Sequence, residues 1–119
     1  MENYKTKNVF RREGDILRYI MTKPVDKDEA IALDVGGTEI INKGETPFVL
    51  IDIRKSTDFS SAARKIWVEF LKNPNIKKAA IFGGNILVRT TASFIIVSTG
   101  KKNIKFFDKE AEALEWIKK

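Results

Sequence analysis

The run PFVLIDI, Pro47 to Ile53, restricts the fold more than any other stretch of the chain. A strand with one wet face alternates apolar and polar residues, whereas here Phe48, Val49, Leu50 and Ile51 follow one another without a break. Such a run must be covered on both faces, which is the setting of a central strand in a largely parallel sheet. The loop RKSTDFSS follows, rich in hydroxyls at Ser56, Thr57, Ser60 and Ser61. It leads into a helix in which Ala63, Ile66, Trp67, Phe70 and Leu71 form an inward stripe, with Arg64, Lys65, Glu69 and Lys72 facing water. Asn73 and Pro74 end that helix.

The same logic orders the rest. NVFRREGDILRYIMT reads as a hairpin of two strands around Glu13-Gly14-Asp15, with Val9, Ile16, Leu17, Tyr19 and Met21 as its apolar positions. After Pro24, Asp26 and Glu29 stand as N-cap and N3 of a capping box, with Val25 and Ala30 as a hydrophobic staple. The helix they open carries Ala30, Leu33, Gly37, Ile40 and Ile41 at helical spacing, and whether it breaks at Gly36-Gly37 is left open by the sequence, since an interior glycine costs roughly 1 kcal/mol against alanine. Close packing or a kink is a better account of this glycine pair than phosphate binding, because no strand directly precedes it. Gly44 marks the helix stop.

KKAAIFGGN gives a short buried strand and a glycine turn. The run Asn85 to Thr99 has strand-like composition in SFIIVST but helix length overall. It is expected to be a buried helix, because a parallel crossover needs about a dozen residues and Gly100 suits a C′ position. NIKFF is the last strand, and Asp108 is expected to cap a final helix with Ala113, Trp116 and Ile117 inward. The predicted architecture is α/β, a mostly parallel or mixed sheet of about five strands with the N-terminal hairpin at one edge, right-handed crossovers and about four helices. At 119 residues and 43% hydrophobic content, one domain over 1–119 is expected.

Composition then removes functions. Zero cysteines and zero histidines exclude disulfides, thiol nucleophiles, thiolate metal sites and the commonest general base. No cofactor or metal is expected. The net charge of +6 comes from dispersed pairs such as Arg11-Arg12 and Lys101-Lys102 rather than from a stripe, so no specific nucleic-acid partner is expected. No window reaches the roughly 20 apolar residues of a membrane span, and MENYKTKNVF is too polar for a secretory signal, which places the chain in the cytoplasm.

In a parallel sheet, loops leaving the carboxyl ends of the strands gather where ligands bind. The candidate binding loops are therefore Arg54, Lys55, Ser56, Thr57 and Asp58 after one strand, and Gly83, Gly84 and Asn85 after the next. If the two strands are neighbours, Ser60 and Ser61 share that rim, where helix N-termini favour an anion. Gly83-Gly84 is read first as turn geometry and second as an anion cradle.

Three stretches, FVLIDIRKSTDFSSAARKIWVEFL, NPNIKKAAIFGG and KKNIKFFDKEAEALEWI, give the chain a layout that resembles the STAS fold, and within it the SpoIIAA-like family, itself similar to the SEC14 class in its α/β core. The resemblance implies a regulatory, protein-binding module in which a hydroxyl at the start of the second helix is phosphorylated by a partner kinase. Ser60 and Ser61 match that hydroxyl pair, while Phe59 stands in place of the family's aspartate and Ala62 in place of its glycine. Read from its position alone, Ser60 is first an N-cap and second a phosphosite. The alternative function is a carrier or sensor of a small apolar or lipid-like ligand, suggested by the apolar helix from Ile86 to Val97. Phe94, Ile95 and Ile96 in that helix otherwise fill the core or a homodimer contact. An enzyme has the least support: Asp52, Asp58 and Arg89 are the polar residues available, and Asp52 is better read as a strand-end acceptor of loop N–H groups and Arg89 as solvent-facing.

Overall fold

A computed structural model describes residues 5–119; the first residues of the N-terminal stretch weighed above as a signal lie outside them. The chain runs β1 (Val9–Glu13), β2 (Ile16–Ile20), α1 (Lys27–Asn42), β3 (Phe48–Asp52), α2 (Ser61–Leu71), β4 (Lys78–Phe82), α3 (Ile86–Thr99), β5 (Ile104–Phe107) and α4 (Glu110–Lys118). The five strands form one sheet in the order β1-β2-β3-β4-β5. β1 pairs antiparallel with β2 at the edge, with Arg11 opposite Arg18, and β2, β3, β4 and β5 run parallel. The uninterrupted apolar run Phe48–Asp52 is thus the middle strand.

Strand alternation divides the sheet between two cores. Leu17, Tyr19 and Met21 of β2 and its extension, Val49 and Ile51 of β3, and Ala79 and Ile81 of β4 pack against α1, α2 and α3. Leu50, Ala80 and Phe82 face the other way, against Ala113 and Ile117 of α4. Tyr19, Trp67 and Phe70 form an edge-to-face aromatic cluster, with ring centroids 5.0 to 5.6 Å apart, that joins β2 to α2.

One question left open by the sequence is answered and two expectations are corrected. First, α1 runs unbroken through Gly36 and Gly37 to Asn42, and Gly44, at φ +89°, lies just beyond it. A β-carbon on Gly37 would overlap the Tyr19 hydroxyl, so the glycine is there to let the ring lie against the helix. Second, α3 begins and ends as expected, at Asn85 and Gly100, but it is not a buried helix. Only Val88, Ala92, Ile95 and Thr99 are buried, because α3 packs on α2 and β5 with one side alone. Third, Asp108 does not cap α4; Lys109 occupies the N-cap with no side-chain bond, and Asp108 instead accepts from Arg89 at 2.6 Å.

The capping box at α1 is half made. Asp26 Oδ1 accepts from the Glu29 N–H at 2.9 Å, but the buried Glu29 carboxylate turns away to accept from the Lys7 and Asn8 backbone N–H groups and from Asn8 Nδ2. Asn8 in turn accepts from the Thr22 and Lys23 N–H groups, so one buried amide fastens the chain before β1 to the β2–α1 loop.

Candidate functional site

The carboxyl ends of β3 and β4 lie side by side, Asp52 opposite Phe82. The Ile53 N–H donates to the Phe82 carbonyl at 3.0 Å, and the Gly83 N–H to that of Phe107 at 3.2 Å, so the two candidate loops leave the sheet together. Gly83 and Gly84 both have left-handed φ, near +90°. A β-carbon on Gly83 would overlap the Arg54 side chain, and one on Gly84 would press to 3.1 Å of Ile53 Cδ1. Their role is close approach between loops, and the side on which a β-carbon would project is filled rather than open. Asn85 caps α3, its Oδ1 accepting from the Val88 N–H at 3.0 Å.

Beyond Arg54 the first loop crosses toward β2. The Val25 N–H donates to the Asp58 carbonyl at 2.8 Å and the Ser60 N–H returns to the Val25 carbonyl at 3.0 Å, a short parallel bridge on which α2 starts. Gly83 and Gly84 therefore touch the beginning of this loop, while Ser60 and Ser61 are anchored at its other end. Ser60 is extended at φ −67°, ψ 164°, and its Oγ accepts from the Ala63 N–H at 3.1 Å. Ser61, the first helical residue, is exposed, and its hydroxyl has no hydrogen-bond partner among the described residues. Lys55, Thr57 and Asp58 are exposed along the same loop. Ser56 is different: it is buried, its N–H donates to the Ile53 carbonyl at 3.1 Å, and its Oγ has no partner among the described residues. It shapes the turn beneath the loop.

Arg54 faces α4. Its guanidinium forms a two-pronged pair with Asp52, Nε to Oδ1 at 3.1 Å and Nη2 to Oδ2 at 2.7 Å, and lies 5.1 Å from the centroid of Phe82. Asp52 Oδ1 also accepts the Arg54 backbone N–H at 3.0 Å, the strand-end role expected of it. Burial raises the Asp52 pKa, but the hydrogen bonds and charge of Arg54 outweigh burial, so the carboxyl ionises below its ordinary range. Glu110 of α4 completes the cluster, 2.9 Å from Arg18 and 3.7 Å from Arg54. Neither Arg18 nor Glu110 was singled out from sequence; the available signal was an arginine in the middle of the apolar strand ILRYI. Arg89, paired with Asp108 and stacked 4.9 Å from the centroid of Phe106, and Asp52, paired with Arg54, are engaged in structure rather than gathered around Asp58.

An apolar cavity does lie against α3, lined among others by Ile53, Phe59, Trp67, Val88 and Ile95. At about 30 Å³ it has room for one or two waters, against the roughly 300 Å³ or more of a small-molecule pocket. As folded, it is too small for a lipid-like ligand. Among the described residues no helix is long and apolar enough to cross a membrane.

A five-stranded mixed sheet with three helices on one face and a fourth on the other defines the STAS, or SpoIIAA-like, class of α/β domain. Residues 10–119 match the family described as a domain of unknown function (DUF7793), and the chain belongs to that family. Its fold is similar to that of an anti-sigma factor antagonist from Mycobacterium paratuberculosis, at a TM-score of 0.74 and 11% identity over 99% of this chain and 98% of that one. The Bacillus cell fate determinant SpoIIAA in its phosphorylated form gives a TM-score of 0.68 at 9% identity, covering 92% of this chain and 98% of that one. An uncharacterized DUF3478 protein with a SpoIIAA-like fold from Shewanella loihica gives 0.64 at 22% identity, covering 92% and 90%. No curated protein matches the chain by sequence.

Proposed function

We propose that the chain is a single-domain, non-enzymatic regulatory module of the cytoplasm that binds a partner protein along the loop 54–60 and the start of α2. Ser61 is its modifiable hydroxyl, and Ser60 is the cap that holds the helix start in place. The observation that carries this reading is the division of labour between two adjacent serines. One hydroxyl accepts the Ala63 N–H, and the next is exposed at the first helical position without a partner among the described residues. The likeness to SpoIIAA, whose phosphorylated form shares the fold, supports it.

The local electrostatics favour a phosphate there. A phosphoserine brings about −1.5 to −2 charges, and at the first helical position these meet backbone N–H groups that have no partner within the helix. Arg64 and Lys65 stand three and four residues further on, and the repulsion of Asp58 opposes them. A docking edge carrying Lys55, Arg64 and Lys65, with Asp58 beside them, would thus be taken from basic to nearly neutral by one modification.

The test is to purify the chain from its own cells, locate phosphate by intact and fragment mass, and compare partner binding by wild type, Ser61→Ala and Ser61→Asp. Phosphate on Ser61 and a change of about tenfold or more between the two variants are expected, the usual scale of a coupled switch. An unmodified chain under every growth condition, together with equal binding by all three proteins, would refute it.

A further inference from the structure

Lysine pairs that are scattered along the sequence are gathered by the fold. β4 and β5 run parallel and α4 returns against them, so the starts of both strands and the end of α4 meet at one end of the sheet. Lys77-Lys78, Lys101-Lys102 and Lys118-Lys119 stand there, and Lys105 joins them from β5. The Lys78 ammonium donates to the Trp116 carbonyl at 2.9 Å, and Lys78 and Lys105 lie 5.1 and 5.5 Å from the centroid of the Trp116 ring. Asn103, directly after Lys101-Lys102, donates through Nδ2 to the Lys77 carbonyl at 3.0 Å. Among the described residues, none of these seven lysines forms an ion pair with a carboxylate. Glu115 and, one turn back, Glu112 oppose them with two negative charges. Residues 77–119 hold nine basic and four acidic residues, so five of the chain's six net positive charges fall in this part. The negative dipole ends of α3 and α4 and the Trp116 ring offset the repulsion among the ammonium groups.

We propose that this end of the domain docks on an anionic lipid bilayer, held there by charge. The make-up of the patch favours a bilayer over a nucleic acid. Nucleic-acid surfaces rely on arginine forks and on aromatic rings that stack with bases, and neither is offered here. Of the six arginines, five are paired with carboxylates and Arg64 donates to the Phe59 carbonyl. Trp116 is already engaged by Lys78, Lys105 and Phe107. Lysines on flexible stems need no fixed phosphate spacing, which suits headgroups that diffuse, and each one near the surface adds to the attraction. The patch lies a strand's length, about 15 Å, from the loop 54–60. A bilayer at one end therefore leaves the other free for a protein partner.

The test compares wild type with two triple variants of equal net charge. Lys102→Gln, Lys118→Gln and Lys119→Gln together remove three exposed lysines of the patch. Lys5→Gln, Lys23→Gln and Lys27→Gln remove three exposed lysines at the opposite end of the sheet, where β1 starts and β2 ends. The probe is sedimentation with phosphatidylcholine vesicles holding about 30% phosphatidylglycerol, in about 0.1 M salt. Wild type and the second triple should bind within about threefold of each other, and the first triple about a hundredfold more weakly, with unchanged melting. Binding should vanish without phosphatidylglycerol and at about 0.5 M salt. Wild type that fails to bind the anionic vesicles, or equal loss in the two triples, overturns the proposal. An RNA that, at equal phosphate concentration, strips wild type from the vesicles also overturns it and assigns the patch to a nucleic-acid backbone.

Discussion

The hydroxyl of Tyr19 occupies the space into which a side chain on Gly37 would project, and it donates to the Leu33 carbonyl of the same helix at 2.9 Å. Tyr19 is fully buried, with burial and then the charge of Asp34 pushing its pKa well above the ordinary range, so the ring has no wet position to retreat to. Gly37→Ala should therefore destabilise by about 1–3 kcal/mol, the scale of overpacking, even though alanine is worth about 1 kcal/mol more than glycine in a free helix. Denaturant titration checks the sign. Tyr19→Phe in the same chain should recover part of the loss by removing the nearest atom.

The serine pair separates by the same measurement. Ser60→Ala should cost about 1 kcal/mol through loss of the Ala63 cap, Ser60→Asp should restore it, and Ser61→Ala should lie within about 0.5 kcal/mol of wild type. An equal cost for the two alanine variants would remove the distinction between cap and presented hydroxyl.

Glu29 predicts a larger effect. Its buried carboxylate accepts from two backbone N–H groups and the Asn8 amide, so Glu29→Ala should leave these donors unmet and cost about 2–4 kcal/mol. Asn8→Ala should lose the Thr22 and Lys23 bonds as well and melt at a similarly lowered temperature.

What the sequence made legible and what it did not follow from range. The middle strand, the helix cap at Ser60 and the turn at Gly83-Gly84 are set by residues within a few positions of one another, and each is found where local pattern puts it. Whether α1 continues through its glycines is not legible locally, because the residue that makes Gly37 necessary is Tyr19, eighteen positions away on another element. The capping box at Asp26 was half right for the same reason: Glu29 found stronger partners in Asn8 and Lys7 than in its own cap. The Asp52-Arg54-Glu110-Arg18 cluster joins three elements, and spacing alone carries no trace of it. The half-exposed state of α3 is not legible either, because apolar composition says that a residue is to be covered, but not by what.

The acid limb of stability should report the charged cluster. Hydrogen bonds from Arg18 and then Arg11 lower the Glu13 pKa, and Arg54 lowers that of Asp52 against the pull of burial. Carboxyls whose folded pKa lies below the unfolded value near 4 add stability above that value and lose it as pH falls through the folded one. Stability should thus decline from about pH 5 downward, and Asp52→Asn should flatten the decline. Because Arg54 is more than half exposed, Arg54→Ala at neutral pH should cost only about 1 kcal/mol.

The start of α4 offers the reverse test, a gain. Lys109 has the extended backbone of an N-cap, φ −128° and ψ 148°, and its carbonyl already accepts the Ala113 N–H, yet its side chain caps nothing. Lysine has no acceptor to offer an N–H group and brings a positive charge to the positive end of the helix. Lys109→Asp should stabilise by about 0.5–1.5 kcal/mol, set against added repulsion from Glu110 and Glu112 in the first turn, and Lys109→Ser should give a gain without that repulsion. Asp108→Ala should change stability by less than about 0.5 kcal/mol, since it removes only an exposed pair with Arg89. Were Asp108 the true cap, the order would invert: Asp108→Ala would cost about 1 kcal/mol and both Lys109 variants would be neutral.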